Sequence, residues 1–217
     1  MGEIMTRILL LLPLLLLLAN PAPADTAEIK PEISKLEFEG IFFGDFPAEG
    51  MICTRGLCPV GDMGVGINDN ARILPTYTRD KAITHFNRVR ISAPEYSFFD
   101  NRMFQVFFSV RCEGEELQTC LDEIVRGLDA QYGLTLIEES SSDKDQSFAT
   151  YFATYATESS SLVTVSVPSG KGRSYPLVKI YDPTLMDEVR LFFNPGYKPD
   201  LGLQEKLQEL KRQRSAK

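Results

Sequence analysis

Between Phe104 and Cys112 the chain alternates. Phe104, Val106, Phe108, Val110 and Cys112 are separated by Gln105, Phe107, Ser109 and Arg111. A period of two sends successive side chains to opposite faces, so this run predicts a strand with one buried face. Upstream, Phe86, Val89 and Ile91 lead to Tyr96 and Phe98 and then to Asp100-Asn101, a pair that tolerates positive φ. The two runs together predict a β-hairpin. The period then changes. Leu117, Leu121, Ile124 and Leu128 recur at helical spacing, Glu115 and Glu116 suit the positive N-terminal end, and Gly133 supplies a stop. This predicts a helix over Leu117 to Gln131, with Cys120 on its apolar side.

Weaker patterns fill in the rest. Lys35 to Phe43 reads as one strand with a bulge at Gly40, and Gly44 to Asn70 as a long irregular stretch. Leu134 to Glu138, Phe148 to Thr157, Leu162 to Val167 and Leu177 to Tyr181 read as further strands. Ser140 to Ser147 and Pro168 to Pro176 read as polar connections. Asp182-Pro183 is an N-cap followed by proline at the first helical position, which predicts a short helix to about Phe193. Leu203, Leu207 and Leu210 give the tail a helical stripe. The expected fold is α+β: a mainly antiparallel sheet of about six or seven strands packed against the main helix, with a C-terminal helical tail. A closed antiparallel barrel enclosing a ligand cavity is the alternative.

Composition bounds the function. The chain has 217 residues, 43% of them hydrophobic, which is enough for a core and excludes global disorder. A net charge of −7 argues against non-specific nucleic-acid binding, which needs a basic field. Ile8 to Ala19 is apolar, with nine leucines broken only by Pro13. That run is too short to span a bilayer but fits the core of a signal peptide. Arg7 supplies the preceding charge, and a start at Met5 makes that region cleaner. Ala22-Pro23-Ala24 matches a small-residue cleavage pattern and places the cut between Ala24 and Asp25. An uncleaved membrane anchor is the competing reading. The expected organisation is a signal peptide at 1–24, one domain at 25–199 and a tail at 200–217. The tail region 198–217 carries six basic and three acidic side chains, a net +3. Its stripe could dock on its own domain, self-associate or touch an anionic membrane. No later run approaches spanning length, so the mature chain is expected to be soluble.

All four cysteines, Cys53, Cys58, Cys112 and Cys120, follow the cleavage site. An even count in an exported chain predicts disulfides, and proximity favours Cys53–Cys58 and Cys112–Cys120. Zinc would want two C-x2-4-C pairs, and a redox pair would want C-x-x-C; neither pattern is complete here.

Candidate chemistry is sparse, and neither a cofactor nor a metal is expected. His85 is the sole histidine, and no G-x-S-x-G elbow offers it a serine. Gly61 to Gly66 is glycine-rich but lacks the phosphate-loop pattern, and Lys171 and Arg173 flank a second flexible turn. Glu138, Glu139, Asp143 and Asp145 form an acidic stretch without a calcium-loop pattern. Aromatic residues crowd the hairpin on both faces, which marks Tyr96, Phe99 and Phe107 as a candidate binding surface.

One combination is familiar. Tyr77-Thr78-Arg79-Asp80, Phe86-x-x-Val89-x-Ile91, Tyr96-Ser97-Phe98-Phe99-Asp100-Asn101-Arg102-x-Phe104-x-Val106 and the helix end Gln131-Tyr132-Gly133 stand in sequence. Together they resemble small exported α+β domains of uncharacterised bacterial proteins. The likeness spans residues 36–190 and implies no activity; the cysteine loops and the tail fall outside it. The expected role is therefore a periplasmic or secreted, non-enzymatic module that binds a protein or surface partner. A carrier of a small apolar ligand is the alternative, and a carboxylate-based hydrolase is the third reading.

Overall fold

Eight strands pair into one antiparallel sheet in the computed structural model, which describes residues 35–56, 58, 74–112, 117–141, 149–168 and 175–216. In chain order the strands are β1 (Glu37–Phe38), β2 (Ile41–Phe42), β3 (Met51–Arg55), β4 (Thr76–Arg79), β5 (His85–Phe86) and β6 (Val89–Arg90). They continue with β7 (Glu95–Phe99), β8 (Arg102–Ser109), β9 (Thr135–Ser141), β10 (Ala149–Ala156), β11 (Leu162–Pro168) and β12 (Leu177–Tyr181). The helices are α1 (Leu117–Tyr132), α2 (Pro183–Phe193) and α3 (Leu201–Ser215). Sheet order is β3-β4-β7-β8-β12-β11-β10-β9, while β1-β2 and β5-β6 form two small hairpins. Strands β3 and β9 stand at opposite edges, so the sheet is open and the barrel alternative is set aside. The α+β expectation holds, with more strands than anticipated.

One face of the sheet carries the main core. Val106, Phe108, Val163, Val165, Val178 and Ile180 project from its central strands onto Leu121, Ile124 and Leu128 of α1. Phe38 from the first hairpin lies 6.0–6.3 Å, ring to ring, from Phe86, Tyr96 and Phe108. Both small hairpins thus help α1 to cover this face. Fully burying one such ring stabilises the fold by roughly 1.5–3 kcal/mol. Gly127 of α1 lets the helix approach the second hairpin, because a Cβ there would sit 3.0 Å from Asn87 Cβ. Gly133 ends α1 at φ +60, its N–H donating to Asp129 O at 2.8 Å. A Cβ at Gly133 would meet Glu158 at 2.6 Å.

The opposite face is covered by the other two helices. Leu185 and Val189 of α2 pack on Phe104. Leu203, Leu207 and Leu210 of α3 pack with Ala156, Leu162, Ile137 and Tyr181. The tail stripe therefore docks on its own sheet. Arg214 fastens the end of α3, donating to Thr157 O and Thr135 Oγ1, each at 2.8 Å.

Several local expectations need correction. Lys35 to Phe43 is a hairpin rather than one strand, because Glu39 and Gly40 both take positive φ, 51° and 80°, and reverse the chain. The run from Phe86 to Phe98 divides into the β5-β6 hairpin and β7, with Asn87 at φ 55 in the extra turn. Alternation along β8 is broken by a register shift opposite Ser97 and Phe98. That bulge turns Met103 toward the α1 side and Phe104 toward α2. Leu117 lies outside the buried stripe of α1, 41% exposed. Within Gly44 to Asn70, residues 51–55 form β3.

Candidate functional site

The three aromatic residues expected to form a binding surface do not lie together. Tyr96 is fully buried, and its hydroxyl donates to the Glu39 carboxylate at the first hairpin. Its ring belongs to the core beneath α1, so it is withdrawn from the surface. Burial, reinforced by the Glu39 carboxylate, pushes the Tyr96 hydroxyl well above the usual tyrosine range. Phe107 lies half-buried on the opposite face, with the Arg55 guanidinium carbon 5.9 Å from its ring centre. Arg55 also pairs with Glu95, so Phe107 sits in a polar neighbourhood.

Phe99 reaches a different environment. It ends β7 just before the Asp100-Asn101 turn, where both residues take positive φ as anticipated, 51° and 58°. Its ring meets Phe192 edge-on, with centroids 5.2 Å apart and planes at 61°. Phe192 meets Phe193 at 5.2 Å and 87°. Leu191, Phe192 and Phe193 are 40%, 66% and 38% exposed, so this group opens to solvent at the C-terminal end of α2.

Local sequence explains the exposure. Asp182 caps α2 by accepting from Leu185 N–H at 2.9 Å, and Pro183 follows at the first helical position, as expected. Leu185 and Val189 already fill the inward face. Three consecutive apolar residues then sweep about 200° around the axis at 3.6 residues per turn, more than one inward stripe can hold. That excess was the sequence signal for Phe192 and Phe193, and a reading confined to the hairpin missed it.

A polar frame holds the patch. Arg102 of β8 pairs with Glu188 of α2. Tyr197 accepts from Arg190 Nη1 at 2.9 Å and donates to Asp187 Oδ1 at 2.8 Å. Gln204 of α3 donates to Asp187 Oδ2 at 3.3 Å. These bonds tie α2 to the segment after it and leave the rings facing outward. Arranged in this way, the site can bury apolar surface of a partner; it presents no nucleophile.

The disulfides match the expected pairing. Cys53 bonds to Cys58 and Cys112 to Cys120, with Cα atoms 5.8 Å and 5.9 Å apart. The second ties the chain beyond β8 to the first turn of α1. His85 is exposed on β5, its Nδ1 3.0 Å from Thr84 Oγ1. Glu138 and Glu139 are exposed on the edge strand β9. Ala24, Asp25, Gly61 to Gly66, Asp143, Asp145, Lys171 and Arg173 lie outside the described residues. Among the described residues, no group of three His, Cys, Asp or Glu side chains converges to hold a metal ion, and no helix is long and apolar enough to cross a membrane.

No protein-family model matches this chain, and neither a curated protein nor a solved structure matches it.

Proposed function

We propose that the chain is an exported binding module, cleaved between Ala24 and Asp25, acting in the periplasm or outside the cell without a reaction of its own. The observation that carries this reading is the aromatic group in which half-buried Phe99 meets the exposed Phe192 and Phe193. Large apolar rings left in water contribute nothing to the isolated fold, but their burial by a partner is favourable at about 25 cal/mol per Å². Contiguous exposed apolar surface with a polar rim is the usual form of an interaction site. Two disulfides and the leucine run Ile8 to Ala19 support export, since such bonds persist in oxidising compartments.

The test is site-specific photocrosslinking in an exporting host. A photoreactive phenylalanine analogue at Phe192 should give a discrete covalent adduct, and the same analogue at the exposed Gln208 should not. Adding Phe193→Ser should weaken the adduct while thermal unfolding stays cooperative. Equal labelling from both positions, or none from Phe192, overturns the reading.

A further inference from the structure

One edge of the main sheet lies open beside a groove. Among the described residues β9 pairs only with β10, so alternate residues turn their N–H and C=O groups away from the sheet. It is the longer of the two edge strands, seven residues against five in β3. Ile137 is an extra residue between Leu136, opposite Tyr155, and Glu138, opposite Thr154. This bulge sets Ile137 against α3, and from Glu138 to Ser141 the pairing then runs unbroken.

Helix α3 supplies the wall. Its leucine stripe packs with Ile137, and Arg214 holds its end to Thr135. Between helix and strand lies a groove of about 400 Å³, lined by Leu136, Ile137 and Leu210 and by Glu205, Lys206 and Glu209. Leu136 is 51% exposed, so apolar surface continues the open edge.

Backbone and charge together narrow the occupant. The open groups of a strand edge are met in register by another extended chain. A second copy of this chain is disfavoured. In the antiparallel register that pairs all seven residues of β9 with themselves, Glu138 faces its own counterpart, and like charges directly opposite are destabilising. Two nearby acids are already engaged. Glu209 accepts from Gln213 at 3.0 Å and lies 3.9 Å from Arg212, and Glu139 is hydrogen-bonded to Tyr151. Glu138 and Glu205 are exposed, with Lys206 as the cation lining the groove among the described residues.

We infer that an extended segment of a partner protein, in which Lys or Arg alternates with aliphatic residues, adds to the sheet as a strand along Glu138–Ser141 and runs on into the groove beside α3. Its main chain supplies the hydrogen bonds, its aliphatic side chains cover Leu136, Ile137 and Leu210, and its cations face Glu138 and Glu205. Strands β12, β11 and β10 separate this edge from the β7-β8 hairpin, so the site does not depend on the aromatic patch having a partner.

The experiment titrates the disulfide-bonded chain with an end-blocked peptide of alternating valine and lysine, following amide exchange by NMR. Saturable binding is expected, with the outward amides of β9 newly protected. N-methylation of alternate peptide residues should weaken binding more than about tenfold, because it removes main-chain donors and leaves the charge. Glu138→Lys/Glu205→Lys, at two exposed positions, should switch the preference to a valine–glutamate peptide by about tenfold at an unchanged melting temperature. No saturable binding overturns the inference. So does binding that survives N-methylation or leaves β9 exchange unchanged, which is attraction of charge alone. An unchanged preference in the double variant overturns the basic partner. Protection of β9 that rises with protein concentration assigns the edge to a second copy, and full protection of its outward amides in dilute protein means the chain covers its own edge; either result overturns the inference.

Discussion

Tyr96 and Tyr132 show how one side chain takes its role from its surroundings. Both belong to the motifs that resemble exported domains, and both are buried near the first hairpin. Tyr96 satisfies its hydroxyl with Glu39, while the Tyr132 hydroxyl is buried with no hydrogen-bond partner among the described residues. Burial first, then the Glu37 carboxylate, holds Tyr132 above the usual tyrosine range; the Gln131 side chain pulls the other way, and Glu39 adds least. Below about pH 10 tyrosine is neutral in both the folded and the unfolded chain, so the shift contributes no pH dependence there. Above that pH the unfolded chain ionises first, and stability falls as pH rises. Tyr132→Phe should therefore leave stability at neutral pH unchanged or higher. It should also flatten the alkaline loss by up to about 1.4 kcal/mol per pH unit, read from urea midpoints across that range. An identical alkaline slope would place the titration elsewhere. Neither tyrosine could be assigned from sequence, because periodicity gives a side chain's face but not which face is covered.

At the scale of elements, local signals were reliable where the backbone decides the outcome. Asp182-Pro183 opened α2, Gly133 closed α1 and Asp100-Asn101 turned the hairpin, since each depends on φ or on an unpaired N–H close by in the chain. Asp182→Ala should destabilise the fold by about 1 kcal/mol, measured by chemical denaturation, with the loss rescued by Asn. Failures came where distant strands decide. The bulge opposite Ser97 and Phe98 reassigns Phe104 to α2, and nothing in the unbroken alternation announces it. The leucines of α3 left docking, self-association and membrane contact open, and the structure places them on β10 and β11. Leu207→Ala should accordingly cost about 2 kcal/mol, while Gln208→Ala on the exposed side should stay within about 0.5 kcal/mol. Equal effects would mean that α3 is not held by its stripe.

Across the whole molecule, the sheet has one heavily packed face under α1 and one face divided between α2 and α3. The aromatic patch sits where α2 ends beside the β7-β8 turn. Export is best checked on the intact product: its mass should correspond to a chain beginning at Asp25 and should resist alkylation in denaturant without reductant. Alkylation at any of the four cysteines under those conditions would contradict the disulfides. Periodicity, turn residues, charge and cysteine count were enough to indicate the fold class, most strand positions, the three helices and both cysteine pairings. These properties depend on a few neighbouring residues or on sums over the chain. Tertiary structure alone decided that Tyr96 belongs to the core, that Phe99 meets Phe192 and Phe193, and that Leu136 and Leu210 share one groove. Those residues stand up to 94 positions apart, as Phe99 does from Phe193, and meet only through strand order and helix docking, which no local spacing encodes.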